Sequence, residues 1–189
     1  LKPDLFFFTG DLVNNSADEF NGFKEVFSEI SARLGSYSVL GNHDYGDYVR
    51  WPNKDGVTKS ENLMRLKKHH QDLGWNLLIN DHHVINIDGE ELAIIGVENW
   101  SAHRRFPKYG DLNMAIKGIE NVKNKLLLSL APTNLILCLY DILSMSEYGY
   151  CQKYGNAPSR SVETFPSGKK NSQTFRMMSV VARASVTPI

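Results

Sequence analysis

An α/β fold follows from three features of this sequence. Two short apolar runs, Leu5-Phe6-Phe7-Phe8-Thr9 and Tyr37-Ser38-Val39-Leu40, each stop at a glycine followed by polar residues. Between them, apolar residues recur at the spacing of a helix, and farther on a strand-rich stretch contains an Asp88-Gly89 turn. Strand-helix-strand order favours parallel pairing through a right-handed crossover. With 189 residues, the chain is long enough for one domain with a sizeable core.

The first run is too short for a helix core and fits a strand buried on both faces, ending at Gly10. From Glu19 to Leu34, Phe20, Phe23, Phe27, Ile30 and Leu34 fall on one helical face, and Gly35 suits the position after the helix end. Tyr37 to Leu40 is the second strand, ended by Gly41. Lys59 to Leu73 reads as a second helix with Leu63, Leu66 and His70 along one side, closed by Gly74. Trp75 to Ile79, Val84 to Ile87 and Leu92 to Val97 read as strands, the last two joined by Asp88-Gly89, and together as an antiparallel or mixed addition to the sheet. Asp111 caps a helix to about Ile119, and Lys125 to Ser129 forms one more strand. Beyond Ser129 the periodicity fades. Residues 1–129 are therefore read as the folded domain and 130–189 as an aberrant, poorly ordered tail.

Lysine plus arginine and aspartate plus glutamate balance at 21 each, so there is no nucleic-acid-specific signal and no field directed at an anionic membrane. Cys138 and Cys151 suggest neither a disulfide framework nor a cysteine zinc site. The longest apolar run, Leu135 to Tyr140, is far short of the roughly 20 residues a spanning helix needs. The chain as given reads as soluble, and its location stays open. It opens on Leu1 rather than Met, and the expectation is that the natural amino terminus, with any targeting segment or membrane anchor, lies upstream.

Two strand ends deliver acid and imidazole groups into loops: Gly10-Asp11, and Gly41-Asn42-His43-Asp44. Ligands of open α/β sheets gather at the carboxyl ends of strands, where two such loops on parallel neighbours would sit side by side. An aspartate, an amide oxygen and an imidazole are hard or borderline donors suited to Mn, Fe, Zn or Mg. A lone Gly-Asp after a strand is more often a turn than a ligand. The coincidence of both loops favours a site over an Asx-type turn with a solvated histidine.

Phe6 to Asn14, reading FFFTGDLVN, followed by Val39 to Gly46, reading VLGNHDYG, resembles the second and third motifs of the calcineurin-like metallophosphoesterases. The similarity continues through Gly96-Val97-Glu98-Asn99-Trp100 and Phe106 to Asp111, in the manner of bacterial, often membrane-anchored, members. The resemblance implies an incomplete four-layer α-β-β-α sandwich with mixed sheets, two divalent metal ions (Mn, Fe or Zn) and a phosphate-ester substrate hydrolysed by a metal-activated hydroxide. By this resemblance Asp11 bridges the metals and Asn42 gives its oxygen to one of them. His43 donates a hydrogen bond or proton to the phosphoryl group or leaving oxygen, and Asp44 orients that imidazole.

The family pattern also breaks. Its first motif, Asp-x-His, would precede Leu1. Leu130 stands where members carry a ligand histidine, and no histidine follows His103 to make the closing Gly-His-x-His. The expectation is therefore a weakly active or inactive chain with a tail translated out of frame. The alternative is a non-catalytic folded remnant or interaction domain without a metal pair. A Rossmann-like nucleotide binder is disfavoured, since no G-x-G-x-x-G follows either early strand. Of the adjacent pairs His69-His70 and His82-His83, one member of each is expected to pack and the other to face solvent. His103 beside Arg104-Arg105 reads as a solvated basic loop before a phosphate pocket, and Trp51 and Trp100 as packing before pocket walls.

Overall fold

The computed structural model describes residues 3–100, 107–130 and 177–180. Its framework is an α/β arrangement of two sheets. The first is parallel throughout, in the order β3 (Asn76–Leu77), β2 (Ser36–Ser38), β1 (Leu5–Phe8), β7 (Met177–Val180). The second is mixed: β4 (Asp81–Ile87) runs antiparallel to β5 (Glu90–Gly96), which pairs parallel with β6 (Asn124–Leu128).

Phe6 to Phe8 pair in parallel with Ser36 to Ser38, the neighbour relation expected for the two site-bearing strands. Every residue of β1 is buried, as its unbroken apolar run requires. Its period of two divides the side chains between two clusters. Leu5 and Phe7 join Tyr37, Val39, Leu78, Ile94 and Leu128, so this cluster draws on both sheets. Phe6 and Phe8 meet Trp75, with Phe27 and Ile30 packed alongside. Fully burying each such phenylalanine stabilises the fold by about 1.5–3 kcal/mol, which makes β1 a firm base for the loop it feeds.

The later strands are a second sheet rather than an addition to the first: β3 joins β2, whereas β4 to β6 pair among themselves. Asp88 (φ 53°) and Gly89 (φ 91°) both lie in the left-handed region, the geometry of a two-residue hairpin turn. Ala93 and Ile95 of β5, with Val97 just beyond it, pack with Ala115 and Ile116 of the short helix α3 (Leu112–Ile116), while Ile94 belongs to the cluster shared with β1. Asp111 caps α3 by accepting from the Met114 amide at 3.0 Å. The long helix α2 (Lys59–Asp72) starts at a reciprocal capping box between Thr58 and Glu61 and turns Leu66 and His70 inward.

The single helix expected over Glu19 to Leu34 is broken. A capping box between Ser16 and Glu19 opens a 3-10 turn at Ala17–Phe20, Gly22 follows, and α1 spans only Lys24–Ser28. Glycine is costly inside a helix, and Ser28 Oγ bonds back to the Glu25 carbonyl. Beyond α1 the amides of Arg33 and Leu34 leave the helical ladder to donate to the carbonyls of Pro3 and Asp4. Phe20 and Phe27 still reach the core, but Phe23 is 59% exposed. Strand β7 comes from the segment read as a tail; the rest of 131–189 lies outside the described residues.

Candidate metal centre

The two loops leave neighbouring strands and touch directly. A Cβ on Gly10 would stand 2.4 Å from the Gly41 nitrogen, and one on Gly41 would stand 2.1 Å from Asp11 Oδ1. Only paired glycines permit that approach. Gly10 (φ 104°) and Asp11 (φ 59°) both take left-handed backbone, a conformation aspartate tolerates better than most residues. Asp11 Oδ1 accepts from the His43 amide at 2.9 Å, so the carboxylate and the imidazole-bearing turn are brought together.

Asp44 locks this contact. It is wholly buried, and its carboxylate gathers amides from both loops. Oδ1 accepts from Leu12 (2.8 Å) and Val13 (3.3 Å), and Oδ2 from Asp11 (2.9 Å) and Gly41 (2.8 Å). Burial and the neighbouring Asp11 push its carboxyl up to about 7, against the pull of the amides. The Asp11 carboxyl is likewise raised by burial, partly offset by the His43 amide and ring.

The His43 ring meets a main-chain group rather than the Asp44 side chain. His43 Nδ1 lies 2.8 Å from the Asn14 carbonyl oxygen, whereas the oxygens of Asp44 are taken up by amides. Because a carbonyl can only accept, Nδ1 carries its proton, and Nε2 is the ring atom left to exchange one. Asp44 is buried against those amides, whereas the imidazole meets the Asn14 carbonyl of the loop after β1. Asn42 donates from Nδ2 to the Tyr48 hydroxyl at 2.7 Å, and the Tyr48 ring lies 4.8 Å from the His43 ring between centroids.

A family model described as calcineurin-like phosphoesterase matches residues 1–147. The chain belongs to that family. Among similar calcineurin-like proteins is the uncharacterized metallophosphoesterase YkoQ of Bacillus subtilis. It is 27% identical over 141 residues, which are 74% of this chain and 46% of that protein. An uncharacterized metallophosphoesterase of Aquifex aeolicus is 27% identical over 132 residues, 69% of this chain and 44% of that protein. The UDP-2,3-diacylglucosamine pyrophosphatase LpxG of Chlamydia muridarum is 40% identical over 50 residues, 26% of this chain and 15% of that protein. The chain thus spans less than half the length of each of these relatives.

Calcineurin-like phosphoesterases typically bind two metals, and the residues present can be tested against that. The half-buried Asp11 carboxylate and the Asn42 amide oxygen are hard donors of the kind Mn, Fe or Zn accept, and glycines crowd the backbone in around Asp11. They fit as two donors of a larger set. Among the described residues no group of three or more His, Cys, Asp or Glu side chains could hold a metal ion. Leu130, two residues past β6, has no donor atom in its side chain.

Elsewhere the histidines serve the fold. His70 is buried with Nδ1 2.9 Å from Ser38 Oγ, and His69 Nε2 meets the Ala17 carbonyl at 3.1 Å. His82 Nδ1 faces the Ala115 carbonyl at 2.8 Å, while His83 is exposed. Trp51 donates to the Gly46 carbonyl at 2.7 Å, and the Lys108 ammonium stands over the Trp100 ring. His103, Arg104 and Arg105 lie outside the described residues. Sequence reasoning passed over a polar network beneath the Asp44 turn. Tyr45 donates to Glu98 at 2.6 Å, Asn80 donates to the other Glu98 oxygen at 2.7 Å, and Tyr109 stacks on Tyr45 at 4.0 Å. Burial and Glu98 raise the Tyr45 hydroxyl strongly. Glu98 and Tyr109 lie within the two later stretches of family resemblance, but nothing in the sequence joins them to Tyr45 and Asn80. Among the described residues no helix is long and apolar enough to cross a membrane.

Proposed function

We propose that the chain carries the Asp11, Asn42 and His43 portion of a dinuclear phosphoesterase site in a four-layer sandwich, and that the polypeptide alone is weakly active or inactive. The supporting observation is the contact between the two loops, with Asp11 Oδ1 2.9 Å from the His43 nitrogen. Divalent cations bound there would supply Lewis-acid charge for the phosphoryl oxygens and activate water, and Asp11 and the Asn42 oxygen would hold them. His43, its Nδ1–H held by the Asn14 carbonyl, presents a protonated Nε2 to the leaving oxygen, gives up that proton and is left as the neutral Nδ1–H tautomer. Asp44 keeps the loops in register without touching the substrate.

Among the described residues Asp11 and Asn42 supply two donors, which supports low activity for this stretch by itself. The test compares the full chain with Asp11→Asn for Mn2+ uptake and for hydrolysis of bis-p-nitrophenyl phosphate. The expected result is weak, Asp11-dependent Mn2+ binding with turnover no greater than that of the variant. Uptake of two Mn2+ with rapid turnover would overturn the inactivity. No Asp11-dependent uptake at all would favour the non-catalytic remnant.

A further inference from the structure

The backbone on either side of Asn42 is already committed: the Gly41 amide donates to Asp44 and the His43 amide to Asp11. What stays free to turn is the Asn42 side chain. A planar amide presents an acceptor at one end and a donor at the other, nearly equal in size, and only the oxygen serves a cation. In this structure Nδ2 donates to the Tyr48 hydroxyl at 2.7 Å, which leaves Oδ1 as the end available to a metal. The same tyrosine lays its ring 4.8 Å from the His43 imidazole at 42°. One side chain therefore touches two groups of the proposed site, the Asn42 amide and the His43 ring.

We infer that Tyr48 is a positioning residue, its hydroxyl tethering the Asn42 amide oxygen-first toward the cation and its ring setting the tilt of His43. The inference rests on the phosphoesterase reading above. Tyr48 is 43% exposed, and a solvent-accessible hydrogen bond adds little to folding stability. The tether therefore matters for the site rather than for the fold. Partners that orient metal ligands from behind typically change metal affinity 10–100-fold when removed.

The test uses the full chain with Tyr48→Phe, which keeps the ring and loses the acceptor, together with Asn42→Ala and the double variant. Mn2+ affinity is read by electron paramagnetic resonance of the free ion and the unfolding midpoint by circular dichroism. Tyr48→Phe is expected to weaken Mn2+ binding about 10-fold with an unchanged midpoint, and to have no further effect once Asn42 is alanine. Unchanged affinity, or an equal loss in the Asn42→Ala background, would overturn the inference. A wild-type chain without Asp11-dependent Mn2+ uptake sinks the phosphoesterase reading instead. The tether is then judged on the metal-free protein by NMR. Tyr48→Phe should shift the Asn42 side-chain amide protons and speed their exchange with water, and unaltered resonances overturn it.

Discussion

Replacing Asp44 by asparagine alters one atom and tests the junction of the two loops. The carboxylate receives two amides on each oxygen. Asparagine can serve one pair through its oxygen, but must aim its own N–H groups at the other. Two buried donors are then orphaned at about 1–3 kcal/mol each, or roughly 2–6 kcal/mol together. Relief of the buried charge, which holds the carboxyl at about 7, offsets part of this, so a net loss of about 2–4 kcal/mol is expected at pH 8. Urea unfolding followed by tryptophan fluorescence reads that loss. Hydrogen exchange reads its location, since the amides of Asp11 and Gly41, or of Leu12 and Val13, should lose protection as a pair. A variant within about 0.5 kcal/mol of wild type, the range of an ordinary surface substitution, with all four amides still protected would refute the role given to Asp44.

Two further outcomes follow from the same geometry. His70 is held neutral by burial, its pKa lowered to about 3. The unfolded chain thus binds a proton near pH 6.5 that the folded chain refuses. The His70 contribution to stability is full above 6.5 and is lost below it, by about 2 kcal/mol at pH 5. His70→Phe should abolish that increment when urea midpoints at pH 7.5 and 5 are compared, and an equal fall in both proteins would count against it. Gly41→Ala places a methyl group 2.1 Å from Asp11 Oδ1 and 2.5 Å from the Asp11 nitrogen. It should cost about 1–3 kcal/mol, whereas Gly22→Ala, with nothing within 4 Å, should be tolerated in the same denaturation assay.

The strand ends that build the site were legible because their signals are local: an apolar run, a glycine, a polar turn. Parallel pairing of β1 with β2 then brings Asp11 beside His43 without further information. Helix α2 was legible from its periodicity and closing glycine, and the β4–β5 hairpin from Asp88-Gly89. The division into two sheets was not, because it depends on which strand edges meet, and apolar alternation does not encode a partner. The helix over Glu19 to Leu34 failed for a related reason: the carbonyls of Pro3 and Asp4 claim the amides of Arg33 and Leu34, a distant capture that no window on the segment registers. The task expected of Asp44 followed the family pattern, and the four main-chain amides it accepts from carry no side-chain signature.

The Asp44 carboxylate ties the two turns to each other through the protein's own amides, independently of any cation. Chelators should strip a cation from this centre and leave the scaffold standing, unlike small zinc domains whose folding and metal uptake are one event. The entropy of ordering both turns is settled during folding, so a cation at the proposed site would meet a ready-made cradle.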